Sequence, residues 1–572
     1  MAQTIHEPIE AVEAQKGERR RKRRPSMRMD MWTAVSLVLL ALFALFLVYP
    51  LFNVLRESIV NGEGELTFEY FYKFFANSYY FQTIKNSFVL SITVTIVSLI
   101  LGVPFSYFYT FYRLRGSKVL FIGAVLSVMS APFIGAYAWI LLLGRNGVFS
   151  QLFGGAFGIT LPSIYGFGGL VLVLSLKLFP LVSIYMNAAF RSIDSSLIEA
   201  ATLMGSTGVK RIWQVIIRLT IPTLLAASLL VFMRTFADFG TPLLIGQNYR
   251  TFTVEIYNQY LGETGQNHNF AAAIGIIGVL VTTVVFLIQK YVAGKFNFQL
   301  KSSRPIARKR PGGIGGVLIY AYQYGLIALA LLPQFYIVYL SFRNNAQSRF
   351  LPGYTLDSYR LAMNRLLERS IYNTLLMGTL ALAIIILIAM LIAYLVVRRP
   401  SWLNNLIDTL SMIPYIMPGA VIGIALVISF NQGPLALTGT MAILIIAVVI
   451  RRMPYTIRSA TASLMHQPLS MEEAARSLGA SKFKSFWKVT VPLMGSGIAS
   501  GAILSFVTIV TEMSSAIILY NNQTITLTMS AYVAITRGNY GLACAFSSIL
   551  TLITALILIL YLAITKEENV KL

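Results

Sequence analysis

The sequence predicts an all-α polytopic membrane protein, with about 12 transmembrane helices in two pseudo-symmetric six-helix halves. Three observations predict it. Of 572 residues, 56% are hydrophobic and only 12% charged, against about 25% charged in an ordinary soluble domain. Apolar runs of about 20 residues, the length that crosses bilayer hydrocarbon, recur along the whole chain. One polar segment also occurs twice, its copies 274 residues apart.

Residues 1–30 read as a basic cytoplasmic tail ending in the block Arg19 to Arg24, with Lys22 among the arginines. The run from Trp32 to Leu55 carries no A-x-A-like cleavage site and exceeds the roughly 7–15 apolar residues of a signal-peptide core. It is expected to be a retained first transmembrane helix. Runs follow near 85–112, 118–144, 166–190, 219–245 and 269–292, completing a first half over 31–293. A basic linker over 294–313 holds Lys295, Lys301, Arg304, Arg308, Lys309 and Arg310. The second half, 314–572, has runs near 314–340, 371–397, 402–430, 435–458, 491–520 and 540–564. Pro132 and Gly135, and Pro414, Pro418 and Gly419, fall in the third run of each half, where broken helices are expected.

Forty-six Lys and Arg against 22 Asp and Glu give a net charge of +24. The positive charge sits in short clusters between apolar runs, as cytoplasmic retention of basic loops produces, so no nucleic-acid partner is expected. Arg113, Arg115 and Lys118, then Arg191, Lys210 and Arg211, then Arg398 and Arg399, and finally Arg451, Arg452 and Arg458 are expected to border cytoplasmic turns. Every second loop is then basic, which places both termini in the cytoplasm. The loop around 341–370 runs against the pattern, because its five arginines outnumber Asp357 and Glu368. A single cysteine, Cys544, excludes an internal disulfide framework, and His6, His268 and His466 have no metal-ligand spacing.

The repeated segment is SLIEAATLMGSTGVKRIWQVIIR from Ser196 and SMEEAARSLGASKFKSFWKVTVP from Ser470. Eight of 23 positions are identical without gaps, in a polar loop where shared transmembrane composition cannot explain it. Ser196 with Glu199, and Ser470 with Glu473, have the S-x-x-E spacing of a capping box. Gly205 and Gly479 are expected to end the first helix in a left-handed turn. A second short amphipathic helix should follow, with Lys210 and Trp213 in one copy and Lys484 and Trp487 in the other. Short amphipathic helices of this kind also suit the lipid headgroup region. That account leaves unexplained why small residues and a glycine break recur at one place in both halves, so a docking surface for a cytoplasmic partner is favoured.

The E-A-A-x-x-x-G pattern resembles the EAA loop of ATP-binding-cassette importer permeases. Two copies, each before the penultimate run of a six-span half, make the chain resemble a fused double permease with the type I importer fold. The resemblance implies that Glu199, Ala200, Ala201 and Gly205, and Glu473, Ala474, Ala475 and Gly479, form coupling helices seated on two copies of a separate cytoplasmic ATPase subunit. It also implies a solute-binding protein outside and an inner-membrane location. The second copy keeps the family's terminal proline, Pro492. The first has Arg218 there, with Pro222 four residues later, so its loop is expected to enter the next span about a turn late. The stretch Phe236 to Pro242, FADFGTP, resembles ferric-iron uptake permeases, with thiamine, polyamine and phosphonate importers less similar.

The 274-residue offset also pairs Asp238 with Glu512, both inside apolar runs. Ionisable groups in the membrane usually face a bundle interior or a watery path. Path-lining carboxylates would suit a cationic cargo, Fe³⁺ above all. A structural alternative stays open: Arg234 lies four residues before Asp238, and Thr508, Thr511, Ser514 and Ser515 surround Glu512. The chain contains no G-x-x-x-x-G-K-[ST] phosphate loop, so it is expected to bind no cofactor and to rely on ATP used by its partners. An ion-coupled secondary transporter also fits twelve spans in two halves, but it leaves the paired loops without a purpose. A membrane-embedded enzyme would need an H-E-x-x-H helix or a clustered His/Asp set, and neither is present.

Overall fold

The computed structural model describes residues 30–129, 132–158, 161–262, 267–295, 304, 306–346 and 348–565. The basic block Arg19 to Arg24 and the linker's Lys301 lie outside the described residues. Among those residues, nine helices are long and apolar enough to cross a membrane, or up to eleven if each of two bent pairs is one span. Met441–Met465, the 25-residue helix of the 435–458 run, carries Arg451, Arg452 and Arg458 and stands outside that apolar set. The expected all-α architecture holds, with one small addition. The exceptional basic loop forms an antiparallel hairpin, Arg343–Ala346 against Arg349–Tyr354, followed by the helix Asp357–Arg365.

The third run of the second half is broken, as its prolines predict: Trp402–Ile416 is followed by Gly419–Phe430 at an angle of 112°. In the first half the described helices of that run are Ser117–Met129 and Pro132–Leu143. The fifth runs break too, which hydropathy does not foresee. Arg218–Phe236 stops before a short helix Gly240–Ile245, and Gly495–Val510 stops before Ala516–Leu519.

The leading helix of each half packs on the other half. In Met31–Ile59, Trp32 lies 4.4 Å from the Tyr394 ring and 5.1 Å from the Phe486 ring, centroid to centroid. Ser36 Oγ donates to Asn404 Oδ1 at 2.7 Å, and Asn53 Nδ2 to Ser429 Oγ at 2.9 Å. In Gly313–Ser341, Tyr322 donates to the Leu101 carbonyl at 2.6 Å and Gln323 to that of Phe105 at 2.7 Å. With no water to serve them, these polar side chains hold helix to helix. The small residue Gly501 lets Gly495–Val510 approach Met441–Met465 closely: a Cβ there would fall 2.6 Å from Thr456 Cα.

Candidate functional site

A cavity of about 150 Å³ lies between the halves. Its charged lining residues are Lys177, Arg234 and Asp238 from the first half and Arg451, Arg452 and Glu512 from the second. Each acid stands where a span has just ended, and each does the same two things. Asp238 accepts from Lys177 Nζ at 3.1 Å and from the Thr241 amide at 3.0 Å. Glu512 accepts from Arg451 and Arg452, and from the Ser515 amide at 3.1 Å and hydroxyl at 3.2 Å. Lys177 and Arg451, Asp238 and Glu512, and Thr241 and Ser515 are all separated by 274 positions. The repeat therefore extends from the polar loops into a pair of matched buried ion pairs.

Both acids line the cavity, yet their partners differ from those expected. Arg234 forms no ion pair with Asp238; its guanidinium lies over the Tyr455 ring, 5.3 Å from the centroid. Of the hydroxyl residues near Glu512, only Ser515 serves it, while Thr508 and Thr511 bond back to carbonyls of their own helix. Arg451 and Arg452 are half-buried inside the Met441–Met465 helix and face Glu512 rather than bordering a cytoplasmic turn. The sequence reading missed Lys177 and the role of both arginines. The signal that would have found them is the common offset of 274 residues between Lys177 and Arg451.

The two repeated loops fold alike. Their first helices are Ser195–Leu203 and Ser470–Ser477. Gly205 and Gly479 follow at φ +81° and +86°, the left-handed turn expected. The closing bonds also match: Ser206 N to Ala201 O at 2.9 Å and Gly205 N to Thr202 O at 3.0 Å, against Ala480 N to Ala475 O at 3.1 Å and Gly479 N to Arg476 O at 3.0 Å. This six-to-one and five-to-two pattern satisfies carbonyls that the helix end leaves open.

The capping boxes do not form. In the first copy the cap is Asp194, whose carboxylate accepts from the Ser196 amide at 2.9 Å. In the second copy Leu469 precedes the helix and has no side-chain cap. Ser196 and Ser470 stand inside the first turn in both copies, so neither can take the capping conformation. Nor does the first copy enter its span late. The second helices start at the corresponding positions, Gly208 and Lys482, and run through matched π turns beginning at Ile212 and Phe486. The difference is a bend instead: Ile212–Phe236 continues as one span, whereas the second copy turns by 69° between Leu493 and Gly495.

Glu199, Ala200, Glu473 and Ala474 are exposed, while Ala201 is buried and Ala475 half-buried. At the tips, Met204 and Leu478 occupy corresponding positions and are 84% and 89% exposed. Leu197 and Met471, and Trp213 and Trp487, are further corresponding pairs left open.

The sequence signature of the family described as binding-protein-dependent transport system inner membrane component matches residues 156–297 and 385–566. The chain belongs to this family. Each match contains one repeated loop and one of the two cavity acids, so the chain is a multi-pass, two-half permease of the ABC importer class. Among relatives of this transport component, the ferric transport system permease protein FbpB of Actinobacillus pleuropneumoniae is 28% identical over 526 residues, 90% of this chain and 75% of the relative. The Fe(3+)-transport system permease protein FbpB 2 of Haemophilus influenzae is 23% identical over 83% of this chain and 88% of its own. A Salmonella typhi permease assigned provisionally to 2-aminoethylphosphonate transport is 26% identical over 43% of this chain and 86% of its own.

Proposed function

We propose that this chain is the transmembrane subunit of a ferric-iron importer, carrying iron from the exterior to the cytoplasm by ATP-driven alternating access. Two cytoplasmic ATPase subunits dock on the repeated loops, and a solute-binding protein delivers cargo outside. Both chain termini lie in the cytoplasm. The observation that carries this reading is the pair of matched loops whose exposed apolar tips, Met204 and Leu478, fall at the same place in each half. Exposed apolar surface at corresponding sites of two copies marks a contact with two copies of a partner.

The chain's own geometry links these loops to the cavity. From Gly208 the backbone stays helical through Phe236, two residues before Asp238. From Lys482 it passes through the bend to Val510, two residues before Glu512. Closure of an ATPase pair would displace both loops, and each helix would carry that displacement to an ion pair on the cavity wall. Asp238 and Glu512 thereby line the translocation path, each tied to a cation of its own wall.

The test is reconstitution into liposomes with the ATPase and binding protein. Iron uptake is expected to require both partners and ATP; uptake driven by an ion gradient with the chain alone would overturn the importer reading. Neutralising both acids, Asp238→Asn with Glu512→Gln, is expected to impair uptake while the ATPase still docks. Unchanged uptake in that variant would remove the path role.

A further inference from the structure

We propose that the cavity between the halves is an oxyanion site, so that cargo crosses carrying negatively charged oxygen ligands rather than as a bare metal cation. The identity of the metal rests on the iron reading above; the charge of what enters does not. Counted at formal charge, the lining holds four cations, Lys177, Arg234, Arg451 and Arg452, and two anions, Asp238 and Glu512. The site is net positive by two charges at membrane depth, where an uncompensated charge is costly and an oppositely charged ligand is correspondingly favoured.

The carboxylates are poorly placed to hold a metal. Asp238 spends one oxygen on Lys177 and the other on the Thr241 amide. Glu512 has no exposed side-chain surface and is gripped by both arginines and by Ser515. A trivalent cation would have to displace these partners and enter against the excess positive charge. The donors, by contrast, have spare capacity. Arg234 meets no carboxylate among the described residues; its guanidinium lies over the Tyr455 ring and donates to the Tyr415 hydroxyl, leaving further N–H donors. Arg452 Nε is buried with no hydrogen-bond partner. Planar guanidinium donors of this kind match the oxygens of phosphate, phosphonate or carboxylate.

The experiment uses liposomes containing the whole complex, in preparations whose ATP hydrolysis responds to the binding protein. Radiolabelled ferric iron is supplied with labelled phosphate, with labelled citrate or with neither, and labelled 2-aminoethylphosphonate is supplied without iron. We expect a labelled oxyanion to enter with the iron, and Arg234→Gln to reduce uptake of both labels by about tenfold or more, the loss typical of one charge-assisted contact. Arg234→Lys is expected to retain most of it. Iron entering unaccompanied in wild type would overturn the proposal and leave the iron reading standing. Arg234-dependent phosphonate uptake with no iron uptake would uphold the oxyanion site and overturn the iron reading. Oxyanion uptake indifferent to Arg234→Gln would overturn the site assignment. The wild-type double-label measurement decides the first point even if the variant fails to assemble.

Discussion

Gly205 and Gly479 show how little a position needs to be decisive. A Cβ at either would meet nothing within 4 Å, so sterics with neighbours play no part. The constraint is the backbone alone, where a left-handed non-glycine residue costs roughly 1–2 kcal/mol. Gly479→Ala is therefore expected to weaken ATPase co-purification by up to about tenfold, with Gly479→Asn retaining more because asparagine tolerates the left-handed region. Equal binding by all three proteins would contradict this. The cavity ion pair obeys different physics. Asp238 is 7% exposed and depends on Lys177, and removing one partner of a buried pair costs about 3–5 kcal/mol. Lys177→Met is expected to lower thermal stability sharply, while Lys177→Met with Asp238→Asn recovers much of the loss. Additive losses in that cycle would mean the two side chains are not coupled.

Helices form where the apolar runs predict them, but their interruptions follow a different logic. The run at 219–245 carries only two charged residues, Arg234 and Asp238, so hydropathy alone sees one span. The chain breaks after Phe236 because Asp238 takes the Thr241 amide and Thr253 donates to the Asp238 carbonyl at 2.8 Å. The first bond is local, three residues on, but the second comes from a residue fifteen positions away that only the fold brings back. Arg451 and Arg452 were misread for a related reason: an arginine at a loop edge and one half-buried against an acid sixty residues on are the same letter in a local window. The repeated loops were legible because their signal is local, the glycine and the helix before it. Their caps were not, since a shift of two residues in the first helix start and of one in the second removes each capping serine from its role. Close packing of elements adds a further requirement at Gly501, where Ala227 stands in the first half. With Thr456 Cα 2.6 Å from an added Cβ, the obstructing atom is backbone and cannot rotate away. Gly501→Ala is expected to push Gly495–Val510 off Met441–Met465, costing on the order of 1–3 kcal/mol and misaligning Glu512 with its arginines. Reduced uptake with normal ATPase docking would be the signature, and wild-type uptake would contradict it.

At the scale of the whole molecule, each half is strapped by the segment leading into the other. The Ser195 amide donates to the Arg304 carbonyl at 3.2 Å, and the Arg113 amide to that of Lys309 at 2.8 Å, so the linker into the second half rests on the first loop and on the turn after Ser78–Phe111. Asp30, 274 positions before Arg304, accepts from Lys482 at 2.9 Å and lies 3.5 Å from Arg399, so the start of the first half rests on the second loop. Neither loop can then move as part of one half only; its displacement is shared with the helix that crosses to the other. The Asp30 strap should respond to pH in a defined direction. The Lys482 hydrogen bond, outweighing the opposing effect of burial, holds the Asp30 carboxyl below its ordinary value of 3.8. A depressed carboxyl contributes stability that is fully present above its unfolded value and disappears as pH falls through the folded one. The difference in thermal midpoint between wild type and Asp30→Asn should hence stay constant from neutrality down to roughly pH 5 and close only in stronger acid. The difference itself should be small, because the pair is partly exposed and screened by solvent. A gap that closes near pH 6 would assign the strap to a different titrating group, and no gap at neutral pH would mean that Asp30 does not hold the loop.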